Sequence, residues 1–372
     1  MTDRLKAVFV GKEHMTIAHI WEPLALEFKA NNWEILFCSD GKTKGDVGFY
    51  CEDNSLPGNQ NFTIITINGL DQDHVVRPNY SNWFEKENWG LFDLGLLPGQ
   101  RWFNGWLTRK PSFYNTPTHG VAMVGWFKGD FAAKHFTRSP QNKKVSKVLY
   151  APQTEQDGKQ RQVVDSIRNT NLNLTIKHWE DESYIDLFPT LLTPEYMKNL
   201  QAENSYAEQF KNITVISPRE NIMNVLKEAD LLITDQSSVL YEAAMLNVPT
   251  LTCSDWKHAC GECQGPQPSP DIAISIHSSN LTNYLNEISK HYEDLISNTL
   301  LIKEKNFIHL GNATVSLYKQ LEELYFTFLE RKRLIKKIKK GLSESRKAMR
   351  LFKIKRRMLK TYLRSNLGAL LR

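Results

Sequence analysis

The side chains best suited to chemistry in this chain sit where short apolar runs end. Residues 229–251 read ADLLITDQSSVLYEAAMLNVPTL, an apolar run closing at Thr234-Asp235, then Ser237-Ser238, then a segment of helical apolar spacing. A serine that opens a helix caps free backbone N–H groups, and those groups together with the helix dipole attract anions. Asp235 can accept hydrogen bonds from N–H or hydroxyl groups nearby. An ordinary cap with no ligand explains the same residues. Immediately upstream, 217–230 has the pattern of a short amphipathic helix with Arg219 at its start. That guanidinium either reaches an anion or is solvated.

Three further segments carry imidazoles. In TPTHGVAMVGWFKG, 116–129, His119 precedes Gly120, and Gly125 follows five residues later. Glycine permits close backbone approach to a ligand, and a near-neutral imidazole can take a proton from an attacking hydroxyl. In LTIKHWE, 174–180, a strand delivers Lys177 and His178 to its carboxyl end. Such a pair can hold a phosphate, or it can be a surface lysine beside a core histidine. His14 and His19 follow the first strand, and His14 is the acceptor-side candidate. The cluster Cys253, His258, Cys260 and Cys263 contains one CxxC. Crowding within eleven residues, with no second CxxC, favours free thiols over zinc.

The elements that position these residues read as α/β. Apolar β-rich runs at 5–10 and 33–38 flank a helical pattern at 19–30, giving a βαβ unit and a parallel sheet. Further strands are expected at 62–67 and 91–97. The Trp-, Asn- and Gly-rich stretch 71–110 has no clean period and reads as an insertion. A second series begins near 147, with strands at 148–151, 172–177, 213–216, 231–234 and 249–252 and helices at 160–168, 194–209, 220–229 and 238–246. Two such series predict two Rossmann-like, doubly wound domains, 1–146 and 147–318, facing a cleft at their strand ends. Residues 319–372 form a helical tail in this division.

Charge separates the same parts. The chain is +6 overall, yet residues 331–372 hold 17 Lys/Arg and one acidic residue, Glu344, so the preceding residues carry −10. In the tail, Ile335, Ile338, Leu342, Met349, Phe352, Leu359 and Leu363 recur at roughly helical spacing among lysines and arginines. A basic amphipathic helix suits an anionic membrane surface, with Lys336, Lys337, Lys339, Lys340, Arg356 and Arg357 as the lipid-facing cations. A solvated tail is the plainer alternative, and nucleic acid is not the expected partner. Five cysteines in a chain of 372 residues argue against a disulfide framework. No run of 18 apolar residues occurs, and the first residues lack a signal-peptide core. The expected location is the cytoplasmic face of the cell membrane, peripherally bound.

Taken in order, Thr118-His119-Gly120, Leu149–Pro152 (LYAP), Ile176–His178 (IKH) and Glu228–Glu242 (EADLLITDQSSVLYE) resemble the CDP-glycerol:glycerophosphotransferase family, which builds teichoic-acid and some capsular polymers. The sequence departs from the family at Val121-Ala122, where the family usually has Thr-Pro, and at Gln236, where it often has Tyr. The resemblance implies a GT-B fold and transfer of a polyol phosphate from a CDP-activated donor to a hydroxyl of a lipid-linked or glycan acceptor. On that reading His119 is the general base and His178 hydrogen-bonds the phosphates. Gly120, Lys177, Arg219, Thr234, Asp235, Ser237 and Ser238 hold the donor. Asp71-Gln72-Asp73 lies in the insertion, so neither a metal ion nor a cofactor is expected. A nucleotide-sugar glycosyltransferase or epimerase of the same fold is the alternative enzyme. A membrane-surface scaffold without catalysis is the alternative outside enzymology.

Overall fold

The computed structural model describes residues 4–11, 15–51, 56–70, 88–109, 116–141, 144–182, 185–186, 189, 192–235, 237–256 and 273–370. His14, Asp71–Asp73, His258, Cys260 and Cys263 lie outside the described residues, as does the side chain of Arg356. Met1–Tyr318 form one compact unit and Lys319–Arg372 a second.

The first unit holds two parallel sheets, each of six strands. In the first, β1 (Lys6–Val10), β2 (Glu34–Cys38), β3 (Gly45–Tyr50), β4 (Gln60–Thr66), β5 (Leu94–Leu97) and β6 (Val121–Met123) take the order β2-β1-β3-β4-β5-β6. The second comprises β7 (Lys147–Tyr150), β8 (Asn173–Ile176), β9 (Ile213–Val215), β10 (Leu231–Ile233), β11 (Thr250–Cys253) and β12 (Ile274–Ile276). Its order is β12-β11-β10-β7-β8-β9. Each strand order reverses once, the first sheet between β1 and β3 and the second between β7 and β10. Ligands of open α/β sheets bind outside the carboxyl ends at such points.

Helix α1 (Met15–Ala30) packs on the first sheet through Ile17, Ile20, Trp21, Leu24 and Phe28. That spacing is one face of a helix. It ends where Asn32 turns left-handed at φ 66° and the Trp33 N–H donates back to the Phe28 carbonyl, a common helix stop. Phe9 stacks on Phe49 at 4.7 Å beneath it. β3, β6 and β12 were not foreseen in the sequence, and the supposed insertion contains β5 and helix α2 (Gln100–Arg109).

After β6 come a 3-10 turn, Phe127–Gly129, and helix α3 (Asp130–His135). Around the second sheet lie α4 (Lys159–Ile167), α5 (Pro194–Ala207), α6 (Ile222–Leu226), α7 (Val239–Met245), α8 (Leu281–Asn286) and α9 (Ile288–Asn306). The connection between the sheets is pinned by Asp230, which accepts from the Ser146 and Lys147 N–H groups at 2.7 and 2.9 Å and pairs with Arg138. Helix α10 spans Ala313–Leu370. Its first N–H groups, on Ala313 and Thr314, donate to the buried carboxylate of Asp130, as an N-terminal cap requires.

Candidate active site

The carboxyl edge of the second sheet carries a dense polar cluster. Lys159 Nζ donates to Asp235 Oδ2 at 2.8 Å, both side chains being inaccessible, and the Gln153 N–H donates to Asp235 Oδ1 at 2.6 Å. Thr234 Oγ1 donates to the Ala151 carbonyl at 2.6 Å. Asp235 and Thr234 therefore tie the loops after β7 and β10 together. They are not open to a donor phosphate as the sequence motif suggested, because their polar atoms are buried and partnered. Ser237 Oγ accepts from the Val239 N–H. Ser238 is half-buried at the start of α7, which runs for only seven residues. Arg219 is exposed and pairs with Asp181.

His178 follows β8, as expected, but lies inside the protein with 3 % of its surface exposed. Its Nε2 is 2.6 Å from Gln160 Oε1, so Nε2 carries the hydrogen, and the Gln160 amide donates onward to Asn204 at 3.1 Å. Burial, reinforced by Lys177, pushes the His178 pKa down to about 3. A ring neutral at ordinary pH has no charge to set against a phosphate, and its one N–H, expected to bond the phosphates, goes to Gln160. Lys177 has such a charge: its Nζ donates to the carbonyls of His178 and Pro218 at 3.1 and 2.9 Å, leaving one hydrogen. Burial first, then Lys128, brings its pKa down to about 8.

Two carboxyl groups lie below these residues. Glu155 accepts from Tyr150 OH at 2.7 Å and from the Gln160 N–H at 3.0 Å, and Glu180 accepts from Tyr196 OH at 2.6 Å. Burial raises both to about 7. Sequence reading missed Glu155, Lys159 and Glu180. Nothing in their local spacing distinguishes them from surface charges. A cavity of about 520 Å³ opens nearby between the loop preceding α4 and helix α5, lined by Glu155, Asp157, Glu195 and Glu203 among others. Its carboxylates oppose a diphosphate.

The first sheet contributes its own carboxyl edge. Beyond β6, Gly125 turns at φ 87° and Lys128 Nζ reaches Glu242 Oε1 on α7 at 2.7 Å, with 7 and 2 % of the two side chains exposed. Trp126 Nε1 donates to the same oxygen at 3.4 Å. Trp102 of α2 meets Tyr241 of α7 at 5.3 Å between ring centroids. These contacts bring the carboxyl edges of the two sheets together.

His119 is not at that edge. It precedes β6, its N–H donates to the Asp93 carbonyl, and its ring lies 5.7 Å from that of Phe62 near the start of β4. This is the amino edge of the first sheet. At roughly 3.3 Å per residue, about 16 Å of chain separates His119 from residue 124 at the other edge. The expected pairing of His119 with His178 is corrected accordingly: the fold does not bring them together. Gly120 turns at φ 76° on the same amino edge, with no atom near the position of a Cβ.

Residues 132–258 match the family model for CDP-glycerol:poly(glycerophosphate) glycerophosphotransferase, and the resemblance read from the motifs is borne out over that segment. No curated protein matches the chain. Among solved structures, a histidine-to-asparagine variant of the wall teichoic acid polymerase TagF soaked with CDPG is similar at 14 % identity. The match covers 88 % of this chain and 89 % of that one, with a TM-score of 0.58. A longer soak gives 15 % identity, the same coverage and a TM-score of 0.54. A histidine-to-alanine variant of TagF gives 14 %, 88 and 90 %, and 0.53. At such identity these structures show a shared fold: α/β with two parallel sheets.

Proposed function

We propose that this chain is a GT-B transferase that moves a glycerol- or ribitol-phosphate unit from a CDP-activated donor to a hydroxyl of a lipid-linked or glycan acceptor. The observation that carries this reading is the family match over 132–258, which contains the Lys177-His178 and Asp235–Ser238 segments at one sheet edge. The acceptor oxygen attacks the phosphorus that bears the polyol, and CMP leaves with the bridging oxygen. Lys177 and Lys128 are placed to stabilise charge developing on the phosphoryl oxygens, since fixed cations in a partly dry cleft act strongly there. His178 works from below, fixing Gln160 and the backbone that presents Lys177. The reading needs no cofactor beyond the donor.

Release of CMP from CDP-glycerol and CDP-ribitol, with UDP-sugars and GDP-sugars in parallel, tests the reading. Turnover confined to CDP donors supports it. Release of UDP would favour the glycosyltransferase alternative, and binding of no nucleotide at all would favour the scaffold.

The second unit fits a membrane-surface role. Among the described residues no helix is long and apolar enough to cross a membrane. Along α10, Leu334, Ile335, Ile338, Leu342, Met349 and Ile354 are all more than half exposed. Lys336, Lys337, Lys339, Lys340 and Arg357 are exposed with them. Apolar side chains interleaved with cations on one bare helix suit the interface of an anionic bilayer, on the cytoplasmic side if the acceptor is lipid-linked.

A further inference from the structure

Among the described residues, His119 sits at the amino edge and His178 is buried with its Nε2 held by Gln160, so neither imidazole is placed to take the acceptor's proton. His19 stands in the right place. Helix α1 starts beyond the carboxyl end of β1 and runs back along the sheet, so at 1.5 Å per residue His19 lies only about 6 Å from the start of the helix. Trp21 fixes that level, because its Nε1 donates to the carbonyl of Val10, the last residue of β1, at 3.3 Å. The same indole stacks on Phe127 at 5.5 Å and 14°, which sets α1 beside the turn that carries Lys128.

The His19 ring is half-buried, on neither the sheet-facing stripe of α1 nor a fully open surface. Charged groups from four other segments act on it: Lys128 from the turn after β6, Lys177 after β8, Glu220 before α6 and Glu242 on α7. Two of these are the lysines assigned above to the phosphoryl group. The remaining two are carboxylates, and Glu242 is already paired with Lys128.

We infer that His19 is the imidazole of the transfer site and takes the proton of the acceptor hydroxyl. The inference rests on the transferase reading given above. As the O–H bond breaks, its electron pair forms the new bond to the phosphorus bearing the polyol. The bond from that phosphorus to the bridging oxygen breaks, CMP leaves with that electron pair, and the proton passes from His19 to solvent. Burial first, then Lys128 and Lys177, holds the ring below its ordinary pKa. It is therefore neutral and able to accept a proton near pH 7.

The full-length chain is assayed for CMP release from CDP-glycerol with a synthetic alkyl-linked glycerol phosphate as acceptor. His19→Gln and His19→Ala are compared with wild type and with His135→Ala, an exposed histidine of α3. Loss of a general base costs about 100-fold or more in kcat, so a fall of that size is expected in both His19 variants. The donor KM should stay within about threefold, and the acidic limb of the wild-type pH–rate profile, below the ordinary imidazole value, should vanish. Added imidazole should restore turnover to His19→Ala, which a merely structural role would not predict. A CDP-induced rise in melting temperature equal to wild type shows that the variants fold and bind donor. Wild-type kcat with the acidic limb retained in both His19 variants overturns the inference alone. The same holds if turnover is lost in His119→Ala but kept in them. A wild-type chain that releases no CMP from CDP-glycerol or CDP-ribitol overturns the transferase reading and this inference with it.

Discussion

Removing Asp235 tests whether the most specific motif of this chain is structural. The carboxylate accepts from Lys159 Nζ at 2.8 Å and from the Gln153 N–H at 2.6 Å, and neither charged side chain is more than 1 % exposed. In Asp235→Ala, Lys159 keeps only the Thr154 carbonyl at 3.3 Å, an ammonium without its counter-charge in a dry site. Breaking a buried pair from one side costs about 3–5 kcal/mol, and the stranded Gln153 N–H adds about 1 kcal/mol or more. The two losses share one site and do not add fully, so about 4 kcal/mol is the working figure. For a domain of this size that corresponds to a fall in Tm of about 8 °C, taking roughly 2 °C per kcal/mol. Differential scanning calorimetry without ligand reads it directly. Lys159→Met with Asp235→Leu replaces the pair by apolar groups of similar size and should recover most of the loss. A phosphate ligand with no structural task would leave the unliganded Tm unchanged. Asp235→Ala melting within about 2 °C of wild type would refute the reasoning.

Four other outcomes follow from the same geometry. Glu155 and Glu180, both raised to about 7 by burial, should make stability fall as pH rises from 4.5 to 7, because the folded state holds protons the unfolded chain has released. His178, lowered to about 3, acts oppositely: its contribution is present above 6.5 and lost as pH falls toward 3. Comparing Tm against pH for wild type and Glu180→Gln isolates the carboxyl part, and an unchanged slope would count against it. Glu242→Ala should cost about 3 kcal/mol by stranding the buried Lys128, read as a lower denaturation midpoint in urea with unchanged m. Gly125→Ala should lower Tm by several degrees, since φ is 87° and a Cβ would meet Ala313 Cβ and the Ile308 carbonyl at 2.7 Å. Exchanging Lys336, Lys337, Lys339 and Lys340 for Glu should weaken binding to anionic liposomes by about 1 kcal/mol or more per charge. Flotation at low and high salt checks it, and equal flotation of both proteins would remove the tail from the binding reaction.

Five of the six strands of the second sheet were legible in the sequence, the central ones as the apolar runs that parallel strands buried on both faces require, whereas β12 was missed. Residues 231–233, 148–150 and 174–176 announce themselves in this way. The buried acid–base cluster beneath them was not legible. Asp235 stood out, but Glu155, Lys159 and Glu180 are ordinary in spacing, and the reversal of strand order between β7 and β10 is what brings Lys159 to Asp235. His119 shows the sharper failure. β6 has only three residues, Val121–Met123, with a glycine shortly before it and another shortly after. A run that short has no measurable period, so sequence alone cannot say which glycine leaves the strand and which enters it. The direction of the chain decides the chemistry: whatever precedes β6 belongs to the amino edge, whatever follows it meets the other sheet. With β6 unforeseen, His119 and Lys128 could not be assigned to opposite edges of the sheet. The same gap hid His19, whose importance depends on Trp21 locking α1 against Phe127, a contact across more than a hundred residues that no local pattern encodes.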